Sequence, residues 1–135
     1  MDNIRFFVAP LKVNKSKFKY FLLNLNNYRN AHHMVLANTK IEFRNVMNHR
    51  YPEPIKAIPG QVKTIYTVYA GSNHAFDIGN ISSIVQKYFE DWLVGRGVLA
   101  DDNIKIITEC VYIYGGVDKD APRVEVQVIS TGKDI

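Results

Sequence analysis

Three carboxylates in the second half of the chain have the spacing that metal chemistry requires. Asp77 lies in Phe76-Asp77-Ile78-Gly79-Asn80, just before an amphipathic segment from Ile81 to Val94, and Asp101 and Asp102 follow the turn at Gly97. Carboxylates placed before a helix and after the turn that follows it can converge in space, and convergent carboxylates suit a hard cation such as Mg²⁺. The rest of the chain is basic, with 17 Lys+Arg against 13 Asp+Glu and a net charge of +4. An acidic nest in a basic surface points to hydrolysis of a polyanion, the chemistry of a nuclease.

The elements that must position these acids follow from the patterning. Ile4–Leu11 is an apolar run of strand length, Asn14-Lys15-Ser16-Lys17 reads as a turn, and Phe18–Leu25 reads as a second strand closing a hairpin. From Tyr28 to Asn48 there is no Gly or Pro, and the apolar spacing predicts a helix ending before Tyr51-Pro52-Glu53-Pro54. Val62–Tyr69 is β-branched and aromatic, as a strand requires. In the next segment Ile81, Ile84, Val85, Tyr88, Phe89, Trp92 and Leu93 recur at helical steps, with Gly95 and Gly97 at its exit. Strands over Asn103–Tyr114 and Val124–Ile129, joined by a turn at Gly115–Asp120, complete a ββαβαββ order. That order predicts a mixed α+β fold with two helices packed on one mixed sheet.

The 135 residues suit one domain with a real core, at 47% hydrophobic and 22% charged. No apolar run reaches the roughly 18 residues of a membrane span, and the first residues lack a signal-peptide pattern, so a soluble, cytoplasmic protein with no membrane partner is expected. The lone Cys110 is expected to be a buried, unreactive thiol. His32 and His33, side by side on the expected helix, project about 100° apart and do not form a chelating pair. No zinc motif or glycine-rich phosphate loop is present, and no organic cofactor is expected. Basic residues concentrate in the first half, with Lys12, Lys15, Lys17 and Lys19 near the first turn and Arg29, Lys40, Arg44 and Arg50 beyond it, interleaved with Phe18, Tyr20, Tyr28 and Tyr51. Such a spread suits either a solvated face or a nucleic-acid contact with aromatic stacking.

Asp77-x-x-Asn80, a helix bearing Lys87-x-x-x-Asp91-x-Leu93, then Gly97, Asp101-Asp102-Asn103 and the late Pro122-Arg123-Val124-Glu125-Val126 resemble the RusA-type Holliday junction resolvases. Asn26-Asn27-Tyr28-Arg29, leading to Asn38, Lys40 and Phe43, resembles the segment that follows the N-terminal strands of that family. The resemblance implies a small homodimeric endonuclease that uses Mg²⁺, or Mn²⁺ in its place, to cut branched DNA symmetrically at four-way junctions. It makes Asp77 and Asp102 the metal ligands, with Asp101 or Asp91 as a third, Lys87 the group that stabilises the transition state, and Asn80 a group that orients a ligand or bonds the phosphate.

For DNA contact Arg29, beside Asn27 in the matched segment, is the first candidate, followed by Lys40 and Arg44, four apart on one helix face, and by Lys17 on the first turn. Two departures stand out. Gly79 occupies a position that is acidic in the family, and Ser83 stands where its lysine usually lies, with Lys87 one helical turn later. Asp91, beside Trp92, reads either as a ligand or as a structural acceptor bordering the core. Asp101-Asp102-Asn103 taken alone also reads as a solvated turn. Two functions follow, a junction-cutting nuclease in recombination, repair or phage DNA processing, or a relative that binds branched DNA or a protein without cutting.

Overall fold

The computed structural model describes residues 4–17 and 19–134, so the expected role of Phe18 lies outside the described residues. The elements are β1 (Ile4–Ala9), β2 (Lys12–Ser16), β3 (Lys19–Leu22), α1 (Leu25–Asn30), α2 (His33–Arg50), β4 (Val62–Ala70), α3 (Ile78–Gly95), β5 (Ile107–Val117) and β6 (Arg123–Ser130). The mixed α+β architecture agrees with the sequence pattern, with three helices and a four-stranded mixed sheet ordered β1-β6-β4-β5. β4 and β5 run parallel, joined by the α3 crossover, while β6 is antiparallel to both β1 and β4.

The first hairpin differs from the expected one. Ile4–Ala9 pairs with β6 at the far end of the chain, and the hairpin forms instead between β2 and β3 as a separate two-stranded sheet. Pro10 explains the switch, since it has no N–H to continue a ladder and ends the first strand. The long helix expected over Tyr28–Asn48 is likewise two helices. Ala31 and His32 are extended, Asn24 caps α1 through its bond from the Asn27 N–H, and the His32 ring accepts from Met34 N–H to start α2. The expected turn at Gly115–Asp120 begins later, because β5 runs on to Val117. Ile107, not Asn103, opens that strand.

The core forms where α3 lies on β4 and β5, and α2 reaches it across α3 through Phe43 and Met47. Burying α3's wide stripe leaves Ile84, Val85, Tyr88, Phe89, Trp92 and Leu93 essentially inaccessible. Phe7 of β1 meets Phe89, Trp92 and Tyr51 edge-on at 5.3–5.7 Å between centroids, the geometry aromatic quadrupoles favour. α3 ends at Gly95, and the chain turns away at Gly97, whose φ of 73° is open to glycine at no steric cost, while Val98 N–H returns to Leu93 C=O. The loop after α2 covers the free edge of β1. Val8 N–H donates to the Tyr51 hydroxyl at 2.7 Å, and Arg50 donates to Val8 C=O at 2.9 Å, satisfying both outward groups of that residue.

Cys110 is not buried as expected. It sits on β5, at the sheet's edge, and is exposed, although its sulfur accepts bonds from Thr64 and Gln86. Partial burial pushes its pKa up, so the thiol form is favoured. Among the described residues no helix is long and apolar enough to cross a membrane.

Candidate functional site

α2, α3 and the 99–103 segment enclose two hollows that share Lys40, Asp91 and Asp102. One, of about 380 Å³, is also lined by Arg44, Tyr88 and Asp101. The other, of about 230 Å³, is also lined by Tyr28, Gln86, Lys87 and Glu90. Helical spacing explains half of this arrangement, because Lys87 and Asp91 lie four residues apart on one face of α3. Lys40 and Arg44 repeat that spacing on α2, facing them. The turn after Gly97 then returns Asp102 to both hollows and Asp101 to the larger one. Of the residues expected from the sequence, Lys40, Arg44, Lys87, Asp91, Asp101 and Asp102 are thus brought together.

Asp77 and Asn80 are not. Asp77 is the N-cap of α3 and lies fourteen residues before Asp91, about 21 Å along a helix rising 1.5 Å per residue. It lines neither hollow. Asn80 has a structural task, its side-chain oxygen accepting from Leu25 N–H at 3.1 Å to tie the start of α1 to the start of α3. The helix that was expected to join the acids therefore separates them. Gly79, where the RusA-type resemblance implies an acid, is beside Asp77 and so at the same remote end.

The acids that do meet differ in character. Asp101 is committed to its own turn, accepting from Asp102 N–H at 2.7 Å and from the Asn103 side chain at 2.9 Å. Asp102 is exposed, and its pKa is raised, first by partial desolvation and then by Asp101. Asp91 is exposed, with no hydrogen bond to its carboxylate among the described residues, which removes the role of core-bordering acceptor.

Glu90 was not expected at all. It is 5% exposed, yet lines the smaller hollow, and its Oε2 accepts from the Tyr66 hydroxyl at 2.8 Å. Burial is the main cause that lifts its pKa to about 7, with the charges of Asp102 and Asp91 adding to the rise. Behind it runs a polar chain through Gln86, Cys110, Tyr112 and Thr64 between α3 and the sheet. The only signal for Glu90 in the sequence is a carboxylate four residues from Gln86 and three from Leu93, at the margin of an apolar stripe.

Among the described residues, no three His, Cys, Asp or Glu side chains form a group able to hold a metal ion. Mg²⁺ needs only one or two carboxylates when waters and substrate phosphate oxygens complete its shell, a requirement the open pair Asp91 and Asp102 meets in kind. Of the residues expected to touch DNA, Arg29 is exposed on α1, and Lys17 lines a groove between the β2–β3 hairpin and α2. Asn27 is occupied, donating its side-chain amide to Leu22 C=O at 3.0 Å. His32 and His33 stack at 4.2 Å between ring centroids, and His32's Nδ1 is used by the α2 cap. No family model matches the chain, and no curated protein is significantly similar to it.

Proposed function

We propose that this protein is a RusA-like endodeoxyribonuclease acting on branched DNA, with its chemistry centred on Asp91 and Asp102 rather than on Asp77. The observation that carries the reading is the joint lining of one hollow by Asp91, Asp102, Lys40 and Lys87. Facing cations and acids suit a phosphodiester, whose oxygens the lysines attract while the carboxylates favour a divalent cation. When bound, Mg²⁺ or Mn²⁺ would polarise the phosphate and supply the nucleophilic water. Asp91 and Asp102 would hold it, Lys87 would offset charge on the phosphate, and Lys40 and Arg44 would bind the flanking backbone. A homodimer supports paired cuts, since two sites related by a two-fold axis address both strands. The RusA-like reading carries with it the cytoplasm of a bacterial or phage-infected cell as the place of action.

One observation favours a second reading, binding of branched DNA without cutting. Asp77 stands a helix length from Asp102, leaving one fewer acid than the sequence pattern implies. Nicking of a labelled four-way junction and a matched duplex, with Mg²⁺, Mn²⁺ or EDTA, separates the two. Metal-dependent cuts by wild type that disappear in Asp102→Asn support the nuclease. Tight junction binding with no cut in either metal supports the binding-only protein, and loss of both binding and cutting overturns each.

A further inference from the structure

We infer that the outer face of the β2–β3 hairpin is a stacking platform for an unpaired nucleotide of the DNA. This deepens the proposed function and rests on it for the DNA's branched form. The hairpin belongs to its own two-stranded sheet, outside the four-stranded one. Its inner face is anchored by the cross-strand pair Val13 and Phe21, 2% and 5% exposed. Its base is pinned by Leu23 N–H to Leu11 C=O at 2.9 Å and by the Asn27 amide on Leu22 C=O.

The alternation that buries Val13 and Phe21 turns Tyr20 and Leu22 outward, at 61% and 51% exposure. An aromatic ring held out on an anchored strand gains nothing for the core. Its surroundings suit a base flanked by phosphates. Lys12 places its ammonium 4.4 Å from the Tyr20 ring centroid, which steadies the ring and adds positive charge beside it. Asn14, the cross-strand neighbour of Tyr20, lines the groove of about 380 Å³ that runs between the hairpin and α2 with Lys15, Ser16 and Lys17 on its wall.

Aromatic platform and basic groove together form the arrangement that binds single strands, bases stacking on rings while lysines follow the backbone. α2 links this groove to the acidic hollows. Asn38, Ile41 and Glu42 line the first, and Lys40 and Arg44 line the second. An unpaired nucleotide held on Tyr20 therefore leads its strand across one helix toward Asp91 and Asp102. A duplex, whose bases are already stacked, has nothing to offer the ring.

The test measures binding of the full chain to a four-way junction, a matched duplex and a single-stranded oligonucleotide, by fluorescence anisotropy, for wild type, Tyr20→Ala, Tyr20→Phe and Lys15→Ala. Tyr20→Ala is expected to weaken junction and single-strand binding about tenfold and leave duplex binding unchanged. Tyr20→Phe keeps wild-type affinity, because stacking needs the ring and not the hydroxyl, and Lys15→Ala weakens all three forms. Thermal melting of Tyr20→Ala should match wild type, since the side chain is exposed. Junction binding that ignores Tyr20 overturns the platform but leaves the nuclease reading standing. Tyr20-dependent binding of the single strand with no preference for the junction does the reverse. No binding to any of the three overturns both.

Discussion

Tyr66 and Glu90, on β4 and α3, share a 2.8 Å hydrogen bond directly beneath the hollow that Asp91 and Asp102 line. The phenol donates its O–H to a carboxyl that has almost no access to water, so the floor of the site is a hydrogen-bonded pair. Burial and the Glu90 charge together push the Tyr66 pKa well up, which keeps it a donor.

Stability should depend on Glu90 in a defined direction. Its folded-state pKa of about 7 lies above the ordinary 4.5, so between these values the folded chain holds a proton that the unfolded chain has released. That contribution is complete below about pH 4.5 and lost as pH rises through 7, a difference of about 3 kcal/mol at most. Urea unfolding in EDTA at several pH values should show wild type losing stability over this window. Glu90→Gln should lack that loss and be the more stable protein at pH 8. Equal slopes in the two proteins would mean that Glu90 is ionised in the fold.

The position of α3 makes the acids unequal. Asp91→Asn should reduce junction cleavage by at least about a hundredfold, as expected when a metal-holding or charge-stabilising group is removed. Asp77→Asn should cut at the wild-type rate, because Asp77 is at the opposite end of the helix and makes no side-chain capping bond. Single-turnover rates at saturating protein measure both. A cleavage loss confined to Asp77→Asn would relocate the chemistry to the start of α3.

Lys40 lines both hollows and should contact one phosphate. Lys40→Ala should lower the slope of log affinity against log salt by about one, with similar weakening on every DNA sequence. Titrations from 50 to 200 mM salt give the slope. An unchanged slope would remove Lys40 from the DNA path.

Gly79 lies in the first turn of α3, where there is no acidic residue and no atom within 4 Å of where a Cβ would sit. Gly79→Asp should therefore stabilise the protein by about 1 kcal/mol, through lower chain entropy in the unfolded state and a negative charge at the helix N-terminus. Chemical denaturation reads this directly. The same variant should leave the cleavage rate unaltered, since this helix end is remote from Asp102.

What could be read from the sequence followed strong periodic signals. The stripe of α3 and the β-branched run of β4 formed where expected, and the carboxylates after Gly97 met Lys87 and Asp91. The hairpin was misplaced because an apolar run says nothing about its partner, and Ile4–Ala9 pairs more than a hundred residues away. The break between α1 and α2 carries no Gly or Pro, only an extended Ala31 and the local cap of His32. Gly115 and Gly116 read as a turn, yet Gly115 serves as a close seat for the Tyr69 ring, 2.7 Å from where a Cβ would stand. Flanking positions alone suggest that Asp77 approaches Asp102, whereas a long helix keeps its two ends apart. Glu90 was missed because a charge among aromatics looks like a surface position until the neighbouring tyrosine supplies its partner.

The place of β6 in the sheet sets the order in which the molecule can be assembled. β6 follows every other element in the chain, yet it is the strand that joins β1 to β4. Until Arg123–Ser130 leaves the ribosome, β1 has no sheet neighbour and Phe7 has no finished core to enter, while the local β2–β3 hairpin needs nothing downstream to close its ladder. Synthesis therefore delivers the hairpin early and the half that carries Asp91 and Asp102 late, and a nascent chain halted at the Asp118–Pro122 turn exposes unjoined strand edges for quality-control proteases to find.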